Sequence, residues 1–144
     1  MMRIHMSHAA RGSLFEVVFL GTAAGVPAVD RGLPALIVLH GHRRFLVDCG
    51  EGTQRQLLKS GLGLRRLDCV LLTHAHLDHL LGIGGLIATL ALLEAGHSLT
   101  VYGGASALRA VRGLVQAARP FSVLVLAAPV RPLLSLLRQL HFDH

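Results

Sequence analysis

The stretch THAHLDHLLG (Thr73–Gly82) places three histidines and one aspartate within six positions. It follows LDCVLLT (67–73), a run that is apolar on both faces and therefore predicts a central strand. It leads into LLGIGGLIATLALLEAGH (80–97), which predicts a helix with three glycines in its first turns. The stretch therefore leaves the carboxyl end of a strand, where open α/β sheets gather their ligands.

The spacing of the four polar residues favours a metal site. Residues two apart in extended backbone point the same way, so His74 and His76 are predicted to face one ion. Asp78 and His79 lie where the chain turns into the helix, and we predict that they point toward a second ion. Imidazole nitrogen and carboxylate oxygen are ordinary zinc ligands, and two metals about 3.5–4 Å apart would lower the pKa of a shared water toward 7. The alternative, polar residues that merely satisfy a turn, explains this density poorly.

The segments before the motif predict an antiparallel meander and a short helix. Phe15–Leu20, Ala35–His40 and RFLVDCG (44–50) are apolar runs separated by turn residues. EGTQRQLLKSGL (51–62) changes to a helical period and stops at Gly61. After the motif, SLTVYG (98–103) predicts a strand, SALRAVRGLVQAA (106–118) an amphipathic helix, and 122–127 a last strand. This alternation indicates an α/β (α+β) fold.

Composition describes one globular domain with a basic charge. The 144 residues are 52% hydrophobic and 15% charged, so a core can form and disorder is disfavoured. The net charge is +6, and thirteen of the fourteen basic residues are arginine. These arginines are scattered along the sequence, which fits either a surface for polyanions or a solvated face.

Cysteine usage and hydropathy point to the cytoplasm. Cys49 and Cys69 lie in apolar strand-like runs without CxxC spacing, so we predict buried thiols in a reducing compartment. No apolar run reaches the roughly 18 residues that a membrane span needs. The basic N-terminus lacks a convincing cleavage site, so no signal peptide is expected.

Several segments together resemble the ribonuclease Z family of the metallo-β-lactamase superfamily. The HxHxDH motif after an apolar strand is the superfamily's mark. FLGTAAGVP (19–27), VDCGEGTQRQLLKSGL (47–62), LLTHAHLDHLLGIGGLIATL (71–90) and LTVYGG (99–104) are similar to successive family motifs. DCGEGTQRQL discriminates best, because lactamases and glyoxalases do not carry it. The resemblance covers about residues 15–115.

The resemblance implies a fold, a reaction and roles for individual residues. The fold would be an αββα sandwich, usually in a homodimer, and the reaction hydrolysis of one phosphodiester in precursor tRNA by metal-hydroxide attack, which removes the 3′ trailer. His74 and His76 would bind the first zinc and Asp78 and His79 the second, with Asp78 also as the catalytic proton acceptor. Manganese or iron would suit the same ligands. Asp48 is expected either to orient ligands, as is Glu51, or to serve as a structural hydrogen-bond acceptor.

The sequence also departs from the family pattern. Family chains are about twice as long, so we expect residues 15–118 to form the N-terminal half of the domain. Residues 1–14 are then a leader of uncertain origin, and residues 119–144 a divergent or truncated tail. His144 is a candidate for the third histidine that binds metal in the family, and His141 is a second candidate. The alternative is that a histidine occurs here by chance and binds no metal.

The missing second half leads to an expectation about activity. In the family, the second half supplies an aspartate that bridges the two metal ions. Without it two zinc ions would be poorly held, so the isolated chain is expected to be inactive or nearly so. Two other interpretations stay open. One is another hydrolase of the superfamily that acts on a small ester, and the other is a non-catalytic remnant.

Overall fold

The computed structural model describes residues 2–7, 14–93, 98–118 and 124–129. These ranges contain seven strands and four helices. In chain order they are β1 (Arg3–Ser7), β2 (Leu14–Gly21), β3 (Ala35–His40), β4 (Arg43–Val47), α1 (Thr53–Lys59), β5 (Cys69–Leu71), α2 (Leu77–Leu80), α3 (Ile83–Leu93), β6 (Ser98–Gly103), α4 (Ala105–Ala118) and β7 (Leu124–Pro129).

All seven strands form one sheet in sequence order. Strands β1 to β4 pair antiparallel, which confirms the predicted meander. Strands β4 to β7 pair parallel, with a helix in each connection. Strand β5 lies between β4 and β6, so the prediction of a central strand ahead of the histidine motif is confirmed.

The helices form a single layer that covers one face of the sheet. Because the parallel strands advance in one direction, right-handed crossovers place their helices on the same side. Accordingly, α3 contacts both α1 and α4. Strand and helix side chains interdigitate between the two layers, and the core is aliphatic, as the scarcity of aromatic residues requires. Its fully buried members include Val18, Ile37, Leu46, Val70, Leu86, Ile87, Leu90, Leu99 and Val101.

The alternate side chains of the sheet are only half-buried. One row crosses five strands in register and consists of Phe19, Leu36, Val47, Leu71 and Tyr102. This face is therefore apolar but less completely covered than the helical face, as expected for one sheet of a two-sheet sandwich.

Two elements differ from the sequence prediction. The leader contains strand β1, which pairs with β2 and was not predicted. The start of the helix predicted over 80–97 is interrupted at Gly82, which separates α2 from α3. The Gly82 N–H donates to the Cys49 carbonyl at 2.9 Å instead of to a carbonyl within the helix. Helix α2 therefore ends before Gly82, and α3 starts with the Leu86 N–H bonded to the Gly82 carbonyl.

Part of the predicted tail lies within the described residues. Strand β7 (Leu124–Pro129) corresponds to the strand predicted over 122–127. His141 and His144 lie outside the described residues, as do 94–97. None of the helices within the described ranges has the length and apolarity needed to cross a membrane.

Candidate metal centre

The histidine motif is positioned by the carboxyl end of β5 and the start of α2. Strand β5 ends at Leu71, and the Leu72 N–H still bonds to the Tyr102 carbonyl of β6 at 2.8 Å. Residues 73–76 then form a short loop, and His76 directly precedes α2 with extended backbone angles. Asp78 and His79 therefore project from the first turn of a helix, as the sequence predicted.

Asp48 is the polar centre beneath these side chains. It follows β4, is 6% exposed, and has a left-handed φ of 58°, a conformation that aspartate tolerates better than most residues. One carboxylate oxygen accepts the Thr73 N–H at 2.9 Å. The Thr73 hydroxyl lies 2.9 Å and 3.0 Å from the two carboxylate oxygens, and His79 Nδ1 lies 2.8 Å from Oδ2. Asp48 thus combines the two roles that the sequence left open, a structural acceptor and an orienting partner.

These hydrogen bonds set the tautomers of two histidines. An ionised carboxylate only accepts hydrogen bonds, so His79 Nδ1 must carry the hydrogen that joins it to Asp48. The Thr73 hydroxyl donates to Asp48 and can then accept from His74 Nδ1, 2.9 Å away. In the neutral form of both rings this leaves the Nε2 lone pair for a ligand, which is the arrangement that oriented metal-binding histidines use.

Asp78 is held in the same region by the loop after β2. The Gly25 N–H donates to Asp78 Oδ2 at 2.9 Å, and this bond lowers the pKa of the Asp78 carboxyl below its ordinary value. His79 Nε2 lies 3.6 Å from the same oxygen. The carboxylate is therefore kept ionised beside the free nitrogen of His79, as a metal ligand must be.

The four predicted ligands lie near one another and contact each other in pairs. The His74 ring centroid lies 4.6 Å from that of His76 and 3.9 Å from that of His79. Within residues 2–7, 14–93, 98–118 and 124–129, no three His, Cys, Asp or Glu side chains form a group that could hold a metal ion. The imidazoles instead contact one another. The donor set and the Nε2 atoms left free by Asp48 and Thr73 nevertheless fit a zinc-type ion, and the assignment of these ligands stays a prediction.

A backbone bridge fixes the distance between Asp48 and His79. The Cys49 N–H donates to the His79 carbonyl at 2.7 Å, and the Cys49 carbonyl accepts from Gly82. The approach is so close that a Cβ on Gly50 would lie 2.5 Å from the Asp78 carbonyl oxygen. The glycine of the DCG segment is thus required by contact with the histidine motif, a relation between segments about thirty residues apart in the sequence.

The remaining predicted residues have other environments. Cys49 and Cys69 are buried free thiols, as predicted, and burial raises the pKa of each to about 12, so neither is a thiolate at neutral pH. Glu51 is exposed and follows Asp48 by three positions in the sequence. The loop that contains GTAAGVP (21–27) reaches the site through the Gly25 N–H.

Sequence reasoning missed the roles of Thr73 and Gly25. Thr73 stands immediately before the first histidine, and a hydroxyl at a strand end next to a ligand pair was the available signal. The Gly25 contact spans 53 positions and has no local signal in the sequence.

Thr73→Val is expected to weaken zinc binding about tenfold, within the range for lost partners of ligating histidines. The isosteric valine removes both the hydroxyl that orients His74 and a donor to Asp48. Isothermal titration of zinc into the metal-free chain measures the effect. Thr73→Ser keeps the hydroxyl and should bind zinc as the parent does. An equal loss of zinc affinity in both variants would show that the Thr73 hydroxyl does not orient His74.

The fold and the position of the histidine motif indicate the same superfamily as the comparison with known proteins. Residues 30–121 match the family description "Metallo-beta-lactamase superfamily". Because this match covers more than half of the sequence, the chain belongs to the metallo-β-lactamase superfamily. Membership implies the use of divalent metal.

Within the superfamily, the chain is similar to ribonuclease Z proteins. It is 57% identical over 95 residues to ribonuclease Z of Bradyrhizobium diazoefficiens, covering 66% of this chain and 32% of that protein. It is 48% identical over 99 residues to ribonuclease Z of Archaeoglobus fulgidus, covering 68% and 32%. The crystal structure of the short form of human tRNase Z superposes with a TM-score of 0.71 at 31% identity, covering 78% of this chain and 44% of that one. The chain thus spans about a third of the curated relatives.

Proposed function

We propose that this chain provides the first metal-ligand group of a zinc-dependent endoribonuclease that removes the 3′ trailer from precursor tRNA. The observation that carries the proposal is the hydrogen-bond system centred on Asp48, which turns His74 and His79 toward one cluster with Asp78. The similarity to ribonuclease Z proteins supports tRNA as the substrate.

Each polar side chain of the candidate site would have its own role in metal binding or proton transfer. His74 and His76 would hold one zinc, and Asp78 and His79 the other. Zinc bound there supplies a Lewis acid and lowers the pKa of a water molecule. Asp78, with its lowered pKa, is ionised at neutral pH and can take a proton at Oδ2, next to His79 Nε2. Asp48 and Thr73 hold the imidazoles in place.

The described ligands do not complete a two-metal site. They supply two donors to each ion, whereas a catalytic zinc ordinarily has three protein ligands. We therefore propose that the chain by itself binds little more than one zinc and has weak or no nuclease activity. His144 is proposed as a further ligand, with His141 as the competitor. We also propose that the enzyme forms a homodimer and is located in the cytoplasm.

Two measurements test this proposal together. Zinc per chain after equilibration and desalting, measured by atomic emission, is expected to be near one, and a value near two would contradict the proposal. Incubation with a precursor tRNA should give at most a trace of chelator-sensitive cleavage, with a 3′-hydroxyl on the tRNA product. A chain that retains no zinc would favour the non-catalytic remnant. Chelator-sensitive hydrolysis of a small chromogenic diester, without tRNA cleavage, would favour the other hydrolase.

A further inference from the structure

The fold gathers arginines that are dispersed in the sequence. Arg43 and Arg44 begin β4, and Arg65 and Arg66 lie in the loop before β5. Together with His42 of the β3–β4 turn they line a groove of about 360 Å³, here called the basic groove. The sequence offered a polyanion surface and a solvated face as equal alternatives, and this clustering favours the first.

The basic groove lies at the far end of the sheet from the histidine cluster. Strands β4 and β5 are parallel, so the groove is at their amino ends and the cluster at their carboxyl ends. The separation is about the length of the five-residue β4, roughly 17 Å at 3.3 Å per residue. The groove is therefore distinct from the candidate metal centre.

Arg44 is hydrogen-bonded to the backbone of the basic groove, and the described residues form no ion pair with the arginines that line it. Arg44 donates to the carbonyl oxygens of Leu62, at 2.6 Å, and Arg65, so its guanidinium connects β4 to the loop before β5. Arg44 and Arg66 line the same groove, and burial, followed by the charge of Arg66, lowers the pKa of Arg44. Among the described residues, no ion pair involves Arg43, Arg65 or Arg66. Asp68 lines an adjoining depression together with Arg43.

We propose that the basic groove binds the phosphate backbone of RNA. Arginine forks suit the paired oxygens of phosphate, and unneutralised guanidiniums around one groove favour a ligand with several charges. Among its described lining residues, His42 carries the one ring for base stacking, and none carries an amide or carboxylate side chain for reading base edges. Binding is therefore independent of base sequence and sensitive to salt. RNA as the source of the phosphates rests on the proposed function.

The test uses the metal-free 144-residue chain and a fluorescein-labelled 12-base-pair RNA hairpin with a single-stranded 3′ tail. Anisotropy titrations at several KCl concentrations give the affinity and its salt slope. The triple variant Arg43→Gln, Arg65→Gln, Arg66→Asn should bind about tenfold more weakly, with the slope reduced by about two to three. Asparagine is chosen at position 66 because it tolerates the φ of 60°.

A control variant with the same change in net charge distinguishes RNA binding at the basic groove from general electrostatic attraction to the chain. Arg55→Gln, Arg109→Gln, Arg112→Gln removes three exposed arginines from α1 and α4 and should bind as the parent does. Equal weakening in the two variants, no weakening in either, or no RNA binding by the parent would overturn the proposal. So would a polyglutamate peptide of equal charge that binds as tightly as the hairpin. Because no metal is present, each outcome leaves the zinc and cleavage tests of the proposed function unaffected.

Discussion

Gly82→Ala is expected to destabilise the chain by about 3 kcal/mol or more, a large part of the roughly 5–15 kcal/mol that stabilises an ordinary domain. A Cβ at this position would lie 2.1 Å from the Gly50 carbonyl oxygen and 2.9 Å from that of Cys49. Both contacts are with backbone, so no side-chain rotation relieves them. The bridge between the DCG segment and the histidine motif would have to open. Urea unfolding followed by circular dichroism measures the loss.

Gly84→Ala is the matched control for this prediction. A Cβ at Gly84 would meet only a Leu114 methyl at 3.9 Å, an ordinary contact, and the residue lies inside α3. Alanine should leave stability unchanged or raise it by about 0.5–1 kcal/mol, the usual gain over glycine within a helix. A Gly82→Ala variant as stable as the Gly84→Ala variant would show that the two segments do not pack as described.

The part of the site that sequence could predict is the part encoded locally. His74, His76, Asp78 and His79 lie within one strand–loop–helix junction, so their spacing fixes their relative directions. Predictions of the strands at Ala35–His40 and 98–103 were confirmed for a similar reason, since continuous apolar runs between turn residues describe buried strands.

The parts that sequence could not predict depend on contacts between distant segments. The dual role of Asp48 follows from β4 lying beside β5, which no local pattern encodes. The bend at Gly82 arises because its N–H finds the Cys49 carbonyl. The basic groove exists only once the β3–β4 turn meets the loop before β5. Strand β1 was missed because RIHMS alternates weakly and lies in a segment interpreted as a leader.

Asp48→Asn is expected to weaken zinc binding about 10- to 100-fold while leaving most of the fold intact. Asparagine has nearly the same shape and tolerates the left-handed φ of 58°. Its amide oxygen can still accept from the Thr73 N–H. Its amide nitrogen, however, donates, so His79 Nδ1 would have to accept and its hydrogen would move to Nε2. That nitrogen could then no longer bind metal, which is the tautomer fault known from the aspartate-to-asparagine change in serine protease triads.

Two measurements on the same samples separate this effect from simple unfolding. Zinc titration should show the loss of affinity, and the urea midpoint should fall far less than in Gly82→Ala. Glu51→Gln provides the control, because it removes the same charge near the site from an exposed side chain. The zinc affinity of this variant should match that of the parent. If Asp48→Asn and Glu51→Gln lose zinc affinity equally, net charge governs the site. If Asp48→Asn binds zinc like the parent, the carboxylate does not set the His79 tautomer.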